Sequence, residues 1–334
     1  MLPPPVEKKR IGYIDYIKAL TIIGVVNVHS NIPPTWLTPL LVNAIFFFIA
    51  GMFFKKPNLT NLMRDYSGML VKDCRTMLIP FMFFYTLSYP FIIIVHLWDN
   101  RTLAGFDWWC FFDLFDICGR SDYLFVNVPL WFILCLFVIK SIYYFVRCLP
   151  AGFILLIALV ALCLKDFWEG IATPLMINNA FYWLGFFALG NLFAQYVFPL
   201  NMSICRRLII VCISLVAILA SLCIEDTVPE MTLGYIRVFA AISLLLFGFS
   251  LLEHARDLRI LSFIGQNTLI ILGCHLWFLV PLERLSYKLT RVRTVWTGTV
   301  QTVLCVCLCL VFIHIGNKYF PLLVGKFKKM RKLV

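Results

Sequence analysis

Apolar stretches of about 18 to 24 residues recur along the whole chain and are separated by short, charged segments. That is the length a helix needs to cross the hydrocarbon layer, and the stretches lack the strict apolar–polar alternation of a membrane barrel. The pattern predicts an all-α, polytopic membrane bundle of about ten helices, at residues 12–32, 37–54, 76–97, 129–147, 151–168, 178–198, 208–224, 234–252, 260–280 and 296–320. No internal repeat, low-complexity tract or soluble domain interrupts the series. Residues 1–334 therefore read as a single integral-membrane domain, with an N-terminal segment at 1–11 and a basic tail at 321–334. A Pro run and the basic trio Lys8, Lys9 and Arg10 precede the first stretch, and no convincing small-residue cleavage site follows it. It is read as a retained helix rather than a removed signal.

Composition removes the water-soluble classes, since 62% of the residues are hydrophobic and only 14% charged. The charges then orient the bundle. Lys55, Lys56, Arg64, Lys72, Arg75, Arg206, Arg207 and the basic tail fall on one side, while Asp99, Asp107, Asp113, Asp116, Asp122, Glu225, Asp226 and Glu230 fall on the other. Lys and Arg concentrate on the cytoplasmic side, so both termini are expected there. The net charge of +12 needs no nucleic acid, because the basic loops face anionic membrane lipids. One segment dissents: Glu283 to Arg293 carries Arg284, Lys288, Arg291 and Arg293 on the supposed outer side. A mis-split of the last spans and a patch for an anionic ligand both account for it. Most of the thirteen cysteines lie in apolar stretches, where they act as small hydrophobes. Cys305, Cys307 and Cys309 alternate, which spreads them around a helix, and no metal site is expected. Cys110 and Cys118 suit a bridge in an oxidising compartment, although spacing alone does not establish one.

Lys18 and His29 stand eleven residues apart inside the first stretch. Eleven helical residues return to within roughly 20° of the starting direction, about 16 Å further along, so the two groups share one face. An intramembrane Lys or His is costly and is by default a functional candidate turned toward a bundle interior or wet cavity. Asp15, three residues before Lys18, offers the plainer account of that lysine as an interfacial ion pair with a snorkelling stem. It leaves His29 unexplained. A lone membrane His also serves as a helix-to-helix hydrogen-bonding group, so the residues alone leave both readings open. His275, in the ninth stretch, is expected at the depth of His29, either lining the site or packing helices with Asn267 and Thr268. His96, His254 and His314 fall at stretch ends and read as solvated or structural. The longest outer loop, Trp98 to Asn127, holds Trp108, Trp109 and Asp113. Rings suit the apolar faces of sugars and carboxylates suit their hydroxyls, so this loop is a candidate sugar-binding platform. An interfacial aromatic belt on a short amphipathic helix is the competing account.

The run from Ile14 to Ser30, the segment Phe46-Phe47-Phe48-Ile49-Ala50-Gly51-Met52-Phe53-Phe54-Lys55-Lys56, Leu130-Trp131-Phe132, and Gly265-Gln266-Asn267-Thr268-Leu269 leading to His275 resemble the acyltransferase-3 family of membrane acyltransferases. The matching order extends from about residue 11 to about residue 320. The resemblance implies an enzyme that moves an acyl group, commonly acetyl from acetyl-CoA, onto a hydroxyl of an extracytoplasmic glycan or lipid-linked sugar. It further implies a place in the bacterial inner membrane, with surface polysaccharide, O-antigen, capsule or a related glycolipid as acceptor.

A basic residue, ten intervening positions and a His form the family's first signature, matched by Lys18 and His29, which the resemblance makes catalytic. Two basic residues three apart form its second, matched by Lys72 and Arg75 in Val71-Lys72-Asp73-Cys74-Arg75. Lys stands for the commoner Arg in each, and Asn43-Ala44-Ile45 stands where many members have His-Met-Pro. Acetyl-CoA is anionic, so cations at Lys72 and Arg75 suit its phosphates. A neutral imidazole at His29 suits removal of the acceptor's proton, and Lys18 suits the donor or the developing negative charge. Whether the acetyl group passes directly or through His29 is left open by the residues. The appended esterase-like domain of some relatives is not expected. A secondary transporter is the main alternative, although no paired broken helices in related halves are visible. A membrane acyltransferase of an unrelated class, with its essential His in a later span, is a further one.

Overall fold

The computed structural model describes residues 11–30, 38–115, 124, 126–169, 173, 177–198, 202–224, 228–252 and 258–326. Among them every regular element is helical: α1 (Gly12–Val28), α2 (Pro39–Met52), α3 (Leu62–Asp73), α4 (Ile79–Asn100), α5 (Trp131–Val146), α6 (Ala151–Cys163), α7 (Lys165–Glu169), α8 (Ile177–Tyr196), α9 (Ile204–Cys223), α10 (Glu230–Leu252), α11 (Arg259–Gly265), α12 (Thr268–Thr290) and α13 (Val295–Tyr319). Among the described residues six helical runs are long and apolar enough to cross a membrane: Leu59–Asn100, Val128–Val146, Ile204–Cys223, Glu230–Leu252, Thr268–Thr290 and Val295–Tyr319. Pro39–Met52 and Ala151–Cys163 are shorter apolar helices. The chain is a multi-pass membrane protein built from helices.

The residues form two compact units, one of Met1–Ile22 with Leu200–Thr268 and the other of Ile23–Pro199 with Leu269–Val334. In the first, α9 and α10 pair antiparallel and an arginine ties each end. Arg237 on α10 donates to Ser221 on α9, from Nε to Oγ at 3.0 Å and from Nη2 to the carbonyl at 2.9 Å. Arg207 on α9 donates to the Ser250 carbonyl on α10 at 3.4 Å. Gly265 lies so close to the Asp15 backbone that any Cβ there would collide with it.

The second unit is organised on the crossing of α2 and α8. Gly51 and Gly190 face each other's helices: a Cβ on Gly51 would strike the Phe187 carbonyl, and one on Gly190 the Phe48 carbonyl. Small residues let two backbones meet at this separation, and close packing is what drives helices together in lipid. Asn191, beside Gly190, donates its amide to the carbonyls of Gly51 and Phe54, both at 3.0 Å, and accepts from Tyr143 on α5 at 3.0 Å. This side chain therefore supplements the backbone cap of α2, in which the Phe54 N–H donates to the Gly51 carbonyl at 3.0 Å.

Three expectations need correction. The predicted span 260–280 is two helices, because Asn267 turns its side-chain amide back to the Phe263 carbonyl at 2.7 Å and ends α11. The segment Glu283 to Arg293 is mostly not a loop: α12 continues to Thr290, so Glu283, Arg284 and Lys288 are helical. The third stretch belongs to a continuous helical run beginning at Leu59, in which a wide π-type turn at Cys74–Leu78 joins α3 to α4. Propensity and hydropathy locate apolar helix but not its polar extensions.

Gly190→Val is expected to destabilise the protein by about 1–3 kcal/mol through overpacking at the crossing. Gly68→Ala, on exposed helix with nothing within 4 Å of the added Cβ, is expected to stabilise it by up to about 1 kcal/mol. Thermal unfolding of the purified protein in detergent measures both.

Candidate active site

A cavity of about 430 Å³ opens in the second unit where the end of α1, the first turns of α2 and α5, and the first turns of α8 converge. His29 lines it, with Asn43 from α2, Trp131 and Phe132 from α5, and Asn179, Tyr182 and Trp183 from α8. The wall is aromatic, with Trp131 6.1 Å from Trp183, and Phe47 backs it, stacking on Trp183 at 5.1 Å and meeting Phe132 at 4.6 Å. A cavity of this size with an apolar wall and a few polar groups has the character of a small-molecule site.

His29 follows the last helical residue of α1, where the helix is ended by its own sequence. Ser30 folds back, donating its N–H and its Oγ–H to the Asn27 carbonyl at 2.9 and 2.6 Å. The Asn27 amide donates to Thr302 Oγ1 on α13 at 2.9 Å, and Thr302 donates onward to the Gly298 carbonyl at 2.9 Å. The position of His29 is thus set by an anchored helix end.

The ring of His275 lies 5.3 Å from that of His29, tilted by 43°. His275 is fully buried. Its Nδ1 is 3.0 Å from the carbonyls of both Ile271 and Leu272. A carbonyl only accepts, so Nδ1 carries the proton and Nε2 presents a lone pair. Among the described residues nothing hydrogen-bonds to that Nε2. The backbone behind it is braced: Asn127 donates to Ser88 Oγ and to the Gly273 carbonyl, both at 2.8 Å. Trp277 Nε1 also donates to Ser88 Oγ, at 2.7 Å, and Ser88 donates to the Phe84 carbonyl at 2.8 Å.

Lys72 and Arg75 are exposed, on the last turn of α3 and in the π-type turn after it. Between them Asp73 is buried and pairs with Lys140 of α5 at 2.5 Å. That pair locks the turn and leaves Lys72 and Arg75 outside. Neither lines the His29 cavity. Lys18, in the first unit, has its Nζ 3.5 Å from Asp15 Oδ1, the intrahelical pairing that the i, i+3 spacing predicts.

Residues 11–314 match the acyltransferase-3 family profile, described as an acyltransferase domain. The chain belongs to the acyltransferase-3 family. No curated protein and no solved structure matches it. The matched span contains α1 to α12 and most of α13, so every residue of the His29 cavity lies within the acyltransferase domain, and the protein is a membrane acyltransferase.

The acyltransferase does not bring Trp108 and Trp109 into this cavity. They are 50% and 73% exposed on a short helical turn, Trp108–Phe115. Tyr89 donates to the Trp108 carbonyl at 2.8 Å, and the Trp109 N–H donates to Asp107 Oδ1 at 2.9 Å. The Asp113 side chain, His254 and Cys118 lie outside the described residues. His96 is held locally by Ala104 and Asn100, and His314 is exposed.

Sequence reasoning overlooked Lys140 and Asp73, and the asparagines at 43, 127 and 179. Lys140 met the same criterion as Lys18, a cation inside an apolar stretch, and its partner is 67 positions away. Lys140→Met is expected to cost up to about 3 kcal/mol, because it strands a buried carboxylate. The double variant Asp73→Leu/Lys140→Met should recover most of that. Melting temperatures of the three proteins decide it.

Proposed function

We propose that this acyltransferase moves an acetyl group from cytoplasmic acetyl-CoA to a hydroxyl of an extracytoplasmic glycan or lipid-linked sugar, in a bacterial inner membrane. One observation carries the reading: an imidazole pair, His29 with His275, at a cavity walled by tryptophan and phenylalanine rings. His275 Nε2 can only accept, and in this reading it takes the N–H of His29. The other nitrogen of His29 is then left with its lone pair available to the acceptor.

The chemistry follows from that tautomer. His29 removes the hydroxyl proton as the acceptor oxygen attacks the thioester carbonyl, and the carbon–sulfur bond breaks. The proton then passes from His29 to the departing thiolate. His275 steadies the transient imidazolium by accepting one of its hydrogen bonds, the part a carboxylate takes in hydrolytic triads. The aromatic wall suits the flat faces of a sugar, and Asn43 and Asn179 suit its hydroxyls. Lys72 and Arg75 are assigned to the coenzyme phosphates, for which exposed cations off a rigid turn are apt. Lys18 is assigned to the donor through its match to the family signature.

His29→Ala is expected to lower kcat by about 10²- to 10⁴-fold, measured as coenzyme A released from acetyl-CoA in the presence of glycan acceptor. His275→Leu should follow it in direction, and His275→Gln, which keeps an acceptor, should recover part of the loss. Mass spectrometry of surface glycan from cells with and without the protein should differ by one acetyl group per modified sugar. Undiminished transfer by His29→Ala would refute this mechanism. Lys72→Gln and Arg75→Gln are expected to raise the KM for acetyl-CoA several-fold with little change in kcat; an unchanged KM would remove the coenzyme assignment.

A further inference from the structure

The geometry points to a second binding site, for a phosphate group carried by a lipid, in the pocket between the ends of α4 and α12. This pocket, about 520 Å³, is lined by three of the cations that broke the topology pattern, Arg284, Lys288 and Arg293. It shares no residue with the His29 cavity. Lys288 lies thirteen positions beyond His275 on α12, about 20 Å along the helix axis. The inference stands independently of any acyl-transfer chemistry.

Four cations line the pocket, Arg101, Arg284, Lys288 and Arg293, against two carboxylates, Asp99 and Glu283. Arg284 Nη2 holds Asp99 at 2.6 Å, yet its Nη1 is buried and makes no hydrogen bond to any described residue. A buried guanidinium N–H without an acceptor is costly in a folded protein and marks a place for one. Two rings hold cations without neutralising them: Lys288 Nζ lies 5.2 Å from the Trp98 ring, and Arg293 Cζ lies 4.7 Å from the Tyr287 ring. Cation–π contact fixes a charge in place and leaves it available to an anion.

The backbone gives an independent sign. Among the described residues the non-glycine positions with positive φ are Arg101 (59°) and Arg291 (55°), at the ends of α4 and α12. Glycine takes that conformation freely, whereas an L side chain there is strained by the contact of its Cβ with the backbone. At both ends an arginine occupies the position nonetheless, and Arg291 Cζ lies 5.8 Å from Tyr287, a pocket residue.

Forked guanidiniums beside a compact ammonium suit phosphate oxygens, and the excess of two positive charges matches a phosphate dianion or a diphosphate. The pocket sits where two apolar helices end, the level of lipid headgroups, so a lipid-borne phosphate reaches it without leaving the membrane. Two sources share that chemistry: a phospholipid, and an isoprenoid phosphate of the kind that carries sugars.

The full chain in phosphatidylcholine nanodiscs is titrated separately with dioleoylphosphatidylglycerol and with farnesyl diphosphate, and retained lipid is counted by native mass spectrometry. Wild type is expected to retain at least one of the two, and Lys288→Gln/Arg293→Gln to weaken that retention at least about tenfold, with preference between probes identifying the source. Arg101→Gly separates binding from folding: it removes a cation and relieves the left-handed backbone, so retention should fall while the melting temperature holds or rises. Failure of wild type to retain either probe, or equal retention by wild type and these variants, would overturn the site.

Discussion

Within hydrocarbon a polar group has no water to turn to, and every carbonyl, amide and charge that the bundle buries must find its partner in the protein. That requirement explains the placement of the polar side chains in this chain. Asn191 spends its amide on two carbonyls at the end of α2 and its oxygen on Tyr143. Asn127, Ser88 and Trp277 close a network that braces α12 against α4 and the approach to α5. Asp73 and Lys140 cancel each other's charge across α5. These contacts hold helices whose apolar surfaces would pack as readily on lipid as on one another.

Against that background the incomplete groups gain meaning. His275 is buried as deeply as any residue in the bundle and has spent its Nδ1–H on its own helix, so the lone pair on Nε2 has no partner among the described residues, with the His29 ring 5.3 Å from its own. Arg284 is half satisfied in the same manner, one arm on Asp99 and the other without an acceptor among the described residues. One stands behind His29, which lines its cavity, and the other lines the pocket between α4 and α12, and they suit different chemistry: a proton donor at one, an anion at the other.

Packing connects these sites to the scaffold. The close approach of α2 and α8 at Gly51 and Gly190 brings Asn43, Tyr182 and Trp183 to a common surface, and α5 adds Trp131 and Phe132 beside them. The anchoring of Asn27 on Thr302 fixes where α1 stops and hence where His29 points. Cys305, donating to the His275 carbonyl at 3.3 Å, ties α13 to α12 at the same level. The cysteines that sequence reasoning treated as small hydrophobes are used here for packing and weak hydrogen bonding.

Hydropathy and periodicity are local properties, so the chain by itself settled that it is helical and membrane-embedded, and its motifs in order marked the family. They also put His29 and His275 at matching depth, because rise per residue is nearly constant in any helix. What the sequence did not contain was rotation and partnership. Trp108 and Trp109 looked like acceptor residues because they are aromatic and near an end, yet Trp183 lines the cavity from α8, packed on α2 at the glycine crossing, and Trp131 lines it from α5. The basic segment after Glu283 read as a misplaced loop because charge ends an apolar pattern, whereas i to i+4 bonding carries α12 on to Thr290 and gathers its cations with Asp99 and Trp98. Lys140 found Asp73, and Asn27 found Thr302, across 67 and 275 positions. Only tertiary structure decides such pairs, because the energy of a buried polar contact depends on which helix stands opposite, and no short stretch of chain records that.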